Sequence, residues 1–306
     1  MKILITGGAG FIGSHIAQAY AAAGHDVAIV DDLSTGKKQR VPTGMRFYHA
    51  DIRNAAQLTG IFEKEKPDVV NHHAAQASAE ASVRDPVKDY EINVLGLINV
   101  LECSRKNGVK RIIFSSSAAV YGDKEPGKNG LNEQDALLQL SPYGASKMTS
   151  ELYLRCYQNL YKIPFVILRY ANVYGPHQDG GEAGVVPLFI RAMLAGKPCT
   201  IFGDGEQTRD YIFVDDIVAA NVLALTKGEN DVFNIGTGAQ TSVNHLATML
   251  KEIVGKGTTA HSQERPGDIR HSFLNSEKAK KVLDWHAEIP FKDGLKKTVE
   301  WFKKQE

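Results

Sequence analysis

The chain has 306 residues, 36 basic and 35 acidic side chains and a formal net charge of +1, with 43% hydrophobic residues. That length can bury a large core as one large domain or two closely joined ones. The balanced charge supplies no field to recruit nucleic acid or an anionic membrane, and no apolar run is long enough to span a bilayer.

Lys2–Thr6 is a short β-branched run that predicts a buried parallel strand, and it leads into glycines at 7, 8, 10 and 13. Ser14 to Ala23 follows as a helix ending at Gly24. Strand, glycine turn and helix are the context a dinucleotide fingerprint requires: Gly7, Gly10 and Gly13 permit a tight turn, backbone approach to a pyrophosphate and close helix packing. The backbone of Phe11 and Ile12 opens the helix whose N-terminus receives the anion. The next strand, Asp26–Asp31, ends in Asp31-Asp32, where a carboxylate can accept from both adenosine ribose hydroxyls and repel a 2′-phosphate. NAD is therefore favoured over NADP.

Further strands are predicted at Arg46–Ala50, Asp68–His72, Arg111–Ser115 and Pro164–Arg169, with a seventh at Val232–Ile235. Helices fall at Ala55–Lys64, Pro86–Lys106 and Pro142–Tyr161, giving an α/β, doubly wound parallel sheet of Rossmann type. Ligands in such sheets lie at the carboxyl ends of the strands. Asp51 and Ile52 at the third strand end are placed to flank adenine, and Ala74, Ala75 and Gln76 after the fourth let a cofactor lie close. Asn93 in the following helix is a further cofactor candidate, although polar helix residues are common. His72 and His73 invite a metal reading, but neighbours on a strand point to opposite faces and no third ligand stands at a suitable spacing, so no metal is expected. Cys103, Cys156 and Cys199 are sparse, odd in number and in no metal spacing, which predicts reduced thiols in the cytoplasm. The opening strand leaves no signal peptide in the reading.

The fifth strand runs into Ser115-Ser116-Ser117-Ala118-Ala119-Val120-Tyr121-Gly122, and a Gly/Pro/Lys/Glu-rich loop to about Gln139 reads as surface. Ser141-Pro142 is a strong helix start, and Tyr143 and Lys147 share one face of that helix. A lysine ammonium beside a tyrosine favours the phenolate, which can take an alcohol proton while a hydride leaves for nicotinamide. Ser117 can hydrogen-bond the same alcohol. Beyond Tyr170 the rhythm changes: helices are predicted at Val185–Ala195, Val214–Leu225, Ser242–Val254, Ser276–Leu283 and Phe291–Lys303. Gly255 to His271 reads as loop, and Trp285 and Trp301 as core anchors. The division expected is a cofactor domain over 1–174, with 211–240 returning to it, and a smaller substrate domain over 175–306.

Thr6-Gly7-Gly8-Ala9-Gly10-Phe11-Ile12-Gly13, the Ser115–Gly122 stretch and Tyr143-Gly144-Ala145-Ser146-Lys147 resemble the extended short-chain dehydrogenases. Among these, the chain is most similar to bacterial UDP-glucose 4-epimerases, from Met1 to about Trp301. The resemblance implies Ser117 and Tyr143 as the acid/base pair, with Lys147 supporting them and binding the nicotinamide ribose. It also implies Asn172, Phe202, Arg209, Tyr211, Arg265 and Asp268 around UDP. Arginines suit a diphosphate, an aromatic ring can stack on uracil, and a carboxylate can accept from a ribose hydroxyl. The implied reaction oxidises C4 of a UDP-sugar, lets the 4-keto sugar turn over, and returns hydride to the opposite face.

The same fold hosts nucleotide-sugar 4,6-dehydratases and UDP-glucuronate decarboxylases. Dehydratases of this kind carry an Asp-Glu pair after the strand-five serine or threonine, and the decarboxylases a glutamate at the second position. Here Ala118 and Ala119 stand there, and neither can move a proton. A non-catalytic NAD-binding regulator is the remaining alternative; such proteins usually lack the tyrosine or the lysine. The resemblance further implies a homodimer through the helices at Pro86–Lys106 and Pro142–Tyr161. It also places Ser272 where narrow-specificity epimerases have a tyrosine beside the sugar, so the N-acetylated pair of substrates is expected to be accepted too.

Overall fold

The apolar runs become strands in chain order: β1 Lys2–Thr6, β2 Asp26–Asp31, β3 Arg46–His49, β4 Val69–His72, β5 Arg111–Ser117 and β6 Phe165–Tyr170. Short strands follow, β7 Asn172–Tyr174, β8 Cys199–Phe202, β9 Thr208–Arg209 and β10 Tyr211–Phe213, before β11 Asp231–Ile235 and then β12 Thr241–Ser242, β13 Thr259–Ser262 and β14 His271–Ser272. The computed structural model describes residues 1–122, 124–178, 184–264 and 269–305.

A seven-stranded sheet has the order β11-β6-β5-β4-β1-β2-β3, and each neighbouring pair is parallel. The chain winds outward from β1 to β3, then crosses back to β4 on the other side of β1. The crevice at this reversal lies beyond Thr6 and His72, which are register partners. Alternation along β1 decides the layers. Ile3 and Ile5 face a core shared with Ile16, Ala17 and Tyr20 of α1 (Phe11–Ala22), whereas Leu4 faces a second core with Leu58 and Phe62 of α2 (Ala55–Glu65). A third core, with Phe189, Ile201, Phe213, Leu246 and Phe302, holds the C-terminal lobe together.

The remaining helices are α3 Ala79–Arg84, α4 Pro86–Tyr90, α5 Gly96–Lys106, α6 Pro142–Tyr161, α7 Val185–Leu194, α8 Val214–Ala224, α9 Val243–Val254, α10 Glu277–Leu283 and α11 Phe291–Lys303. Four readings from the sequence need correction. The helix expected over Pro86–Lys106 is interrupted by a π-helical turn, Glu91–Leu95, within which Asn93 is buried. The Gly/Pro-rich loop is not merely surface: Leu131 is buried, donating to the Phe273 carbonyl and accepting from Asn275. Within Gly255 to His271, β13 pairs with β8. Trp285 is a core anchor, but Trp301 is half-buried, packed edge-on to His177. No helix among the described residues is long and apolar enough to cross a membrane.

Candidate active site

The β1–α1 turn is built around two close approaches. Gly7 has φ +71°, and a Cβ there would sit 2.5 Å from the backbone nitrogen of Ala74 at the end of β4. A Cβ on Gly13 would lie 2.2 Å from the Gly7 carbonyl oxygen, so α1 can press onto the turn only with glycine there. Gly10 is the N-cap of α1 and supplies no side-chain cap, and the first turn carries no acidic residue. The amides of Phe11, Ile12 and Gly13 are therefore the natural seat for an anion.

Asp31, at the end of β2, is buried and accepts from Ala9 N at 2.9 Å and Leu33 N at 2.8 Å. Burial pushes its carboxyl up and these backbone hydrogen bonds pull it back. Each oxygen keeps a lone pair for a ribose hydroxyl. Asp32 is exposed and closes its own turn by accepting from Ser34 N and Oγ. Asp51 is held by the Arg53 guanidinium at 2.6 Å, which keeps it below the ordinary carboxylate range, and Ile52 is buried against Gly96. A glycine cradle, an uncapped helix start and a strand-end carboxylate together fit a dinucleotide.

Ala74, Ala75 and Gln76 line the end of β4, half-buried. Asn93 grips this segment: its Oδ1 accepts from Gln76 N at 2.9 Å and its Nδ2 donates to Gln76 O at 3.0 Å. The structure thus makes Asn93 the clasp of the loop after β4. His72 and His73 point to opposite faces, as alternation requires. His72 Nδ1 meets Thr6 Oγ1 at 2.7 Å and His73 Nε2 meets the Tyr170 hydroxyl at 3.1 Å. Burial lowers both to about 3, so they are neutral, and no metal-binding group of His, Cys, Asp and Glu occurs among the described residues.

Ser117 ends β5, and its Oγ accepts from Ala119 N at 3.1 Å. Tyr143 stands in the first turn of α6, which is capped by Ser141 Oγ on Gly144 N; Tyr143 N donates to Ser82 Oγ of α3 at 3.1 Å. Lys147, one turn on, is buried and donates from Nζ to Ser115 O at 2.8 Å. The ammonium lies 4.9 Å from the Phe114 ring centre and 5.9 Å from that of Tyr143. Burial lowers Lys147 to about 8, against the opposing charges of Asp89 and Glu151. Burial raises Tyr143, a hydrogen bond with Ser117 counteracts this, and the charge of Asp89 adds to the rise. The three residues read from the sequence as catalytic therefore meet.

A buried network under this site was not legible in the sequence reading. Arg169 on β6 holds Glu151 bidentately, Nε to Oε1 at 2.9 Å and Nη2 to Oε2 at 2.6 Å, while Ser116 Oγ donates to Glu151 at 2.6 Å. Arg169 Nη1 also donates to the Tyr121 hydroxyl, which donates to Asn234 on β11. The available signals were an arginine inside the apolar run Phe165–Tyr170 and a glutamate at i+4 from Lys147.

The C-terminal lobe supplies the other face. Asn172 opens β7, exposed, and Phe202 ends β8, half-buried. Arg209 on β9 and Ser272 on β14 are register partners, so two segments distant in sequence become neighbours. Arg209 Nη1 donates to the carbonyls of Thr208 and Ile269. Tyr211 is buried in the lobe core, its ring stacked on Phe291 at 5.6 Å. Arg265 and Asp268 lie outside the described residues.

Comparison with known proteins agrees with this fold. The model of the NAD dependent epimerase/dehydratase family matches residues 3–236. The UDP-glucose 4-epimerase of Mycolicibacterium smegmatis is 42% identical over 312 residues, covering 99% of either chain. A crystal structure of the Thermotoga maritima UDP-glucose 4-epimerase with UDP-glucose superposes with a TM-score of 0.98 at 45% identity, covering 100% of this chain and 99% of that one. The Thermus thermophilus UDP-glucose 4-epimerase in complex with NAD gives 0.95 at 39% identity, covering 99% of both. On its sequence, its sheet order and the meeting of Ser117, Tyr143 and Lys147, the chain belongs to the NAD-dependent epimerase/dehydratase family.

Proposed function

We propose that the chain interconverts the C4 epimers of UDP-hexoses, UDP-glucose and UDP-galactose, using NAD. The observation that carries this reading is the pairing of a complete Ser117–Tyr143–Lys147 site with methyl side chains at Ala118 and Ala119. Eliminating water or carbon dioxide needs a further proton-moving group, and epimerisation does not. Bound NAD supplies a reversible hydride acceptor. Tyr143 takes the proton from the sugar 4-hydroxyl and later returns it, Ser117 hydrogen-bonds the same oxygen, and Lys147 holds positive charge beside the phenolate. Arg209, with Arg265, serves the diphosphate, so UDP stays anchored while the sugar turns over. Incubation with UDP-galactose tests this: UDP-glucose accumulates with no net change in NADH. A 4-keto-6-deoxy product, or decarboxylation of UDP-glucuronate without epimerisation, would replace the reading by one of its relatives.

Substrate breadth follows from Ser272. Its strand places it beside Arg209, and a small side chain there leaves room for a C2 acetamide that a tyrosine would fill. UDP-N-acetylglucosamine and UDP-N-acetylgalactosamine are therefore interconverted as well. Ser272→Tyr loses that pair by about tenfold or more relative to the plain sugars. Equal loss of both pairs, or wild-type protein inert toward N-acetylated substrates, removes Ser272 as the gate.

The assembly is a homodimer. Val87 and Tyr90 on α4 are 66% and 54% exposed, and Leu152 and Leu160 on α6 are 53% and 70% exposed. Outward apolar side chains on adjacent helices suit a self-complementary four-helix contact. Light scattering at micromolar concentration gives dimer mass, and Leu152→Glu with Leu160→Glu gives monomer; monomer mass for the wild type would refute the assembly.

A further inference from the structure

Asp89 belongs to α4, a short helix whose Val87 and Tyr90 point away from the chain's own core, yet its own side chain turns inward and is 1% exposed. Its Oδ1 accepts from Gln76 Nε2 at 2.9 Å and from Asn93 Nδ2 at 3.0 Å. Asn93 also donates to Ser146 Oγ at 3.1 Å, on the residue preceding Lys147. One carboxylate oxygen thus ties α4, the loop after β4, the π-helical turn and the catalytic helix together. The other oxygen, Oδ2, is buried and makes no well-aligned hydrogen bond; burial raises the Asp89 carboxyl, while the Ser146 and Gln76 side chains and the Lys147 charge hold it down. Packing alone gives no reason to retain an acid there, since an amide would make the same contacts at lower desolvation cost.

Lys147 supplies the reason. Its buried ammonium donates to the Ser115 carbonyl, and the charged or titratable groups facing it come from three elements. These are Tyr143 and Glu151 on its own helix, His72 and His73 at and just after the end of β4, and Asp89 from α4. The histidines are neutral, and Glu151 is already neutralised by the two-bond grip of Arg169. Asp89 has no such cation in contact with it among the described residues, and it is the first charge acting on Lys147.

We propose that Asp89 is a positioning residue for the reaction: its carboxylate latches the Gln76 loop to the catalytic helix through Asn93 and is the counter-charge that keeps Lys147 an ammonium. The inference rests on the reading of Tyr143 and Lys147 as the proton-handling pair. The sign follows from the charges. A carboxylate near an ammonium raises its pKa, so removing the negative charge lowers the midpoint of Lys147 further below its present value of about 8. The ammonium is then lost at lower pH, and the alkaline limb of activity moves toward neutrality.

Asp89→Asn isolates this effect. The variant keeps Oδ1 as acceptor and puts an amide where Oδ2 makes no well-aligned hydrogen bond. The protein loaded with NAD is labelled at lysine Cε with carbon-13 and titrated by NMR, with the Lys147 signal identified by its absence in Lys147→Met. The expected result is a Lys147 midpoint lower by about one unit in Asp89→Asn, with the alkaline limb of kcat/KM shifted by the same amount. An unchanged Lys147 midpoint overturns the proposal, as does a drop in kcat that is uniform across pH. A shifted midpoint in protein inert toward every UDP-sugar would sustain the role of Asp89 while removing the epimerase reading. Should Asp89→Asn fail to fold, carbon-13 at the Asp89 carboxyl of the wild type decides: ionisation at pH 7 supports the counter-charge, and a neutral carboxyl at pH 7 overturns it.

Discussion

Tyr143→Phe will keep its fold and its cofactor while turnover on UDP-galactose falls by about two to four orders of magnitude. The ring is retained, so packing at the start of α6 is undisturbed, and the capping bond from Tyr143 N to Ser82 involves only main chain on that side. In the proposed site the cofactor is held elsewhere, by the glycine turn, Asp31 and Lys147, whose own contacts do not involve the Tyr143 hydroxyl. In the proposed reaction, what disappears is the hydroxyl that takes the sugar proton, on a ring 5.9 Å from the Lys147 ammonium. Ser117 cannot substitute, because an aliphatic hydroxyl has no accessible anion near neutral pH. Steady-state rates, with bound NAD measured on the same sample, check the expectation. Turnover near that of the wild type would take Tyr143 out of the mechanism.

Arg169→Leu will destabilise the protein by about 3–5 kcal/mol. Arg169 and Glu151 have side-chain exposures of 3% and 4%, so neither charge has water to fall back on. Removing the guanidinium leaves Glu151 with the Ser116 hydroxyl as its remaining side-chain partner and an uncompensated charge beneath the catalytic helix. Replacing both residues with leucine restores most of the loss, because the desolvation cost of the pair vanishes together with its attraction. Urea denaturation of the single and double variants measures the coupling. A single variant within about 1 kcal/mol of wild type would show that the ion pair does not hold β6 to α6.

Much of the site was legible in the sequence because local rules produce it. A glycine turn between a β-branched strand and a helix admits few geometries, and Gly7 and Gly13 stand where a Cβ would strike backbone. Tyr143 and Lys147 share a face through helical spacing alone, and Ser141-Pro142 sets where that helix begins. Alternation separated His72 from His73, and the two rings do take partners on different segments, Thr6 and Tyr170. Ser117 was read from the rule that ligands meet strand ends, and it does end β5.

What the sequence could not supply depends on contacts between segments far apart in the chain. Asn93 is buried within a π-helical turn that interrupts a helix propensity would leave regular, and its partner Gln76 lies in another segment, after β4. Arg209 and Ser272 become neighbours through pairing of two-residue strands too short for any periodicity to announce. Asp89, read along the chain, is a polar residue on a surface helix; tertiary packing buries it and gives it a lysine to face. Periodicity and turn chemistry therefore determined the scaffold and the placing of Tyr143 and Lys147 on one face of α6. Only the folded chain decided which buried charges surround that pair, since the cost of a charge depends on the dielectric and the partners that folding brings to it.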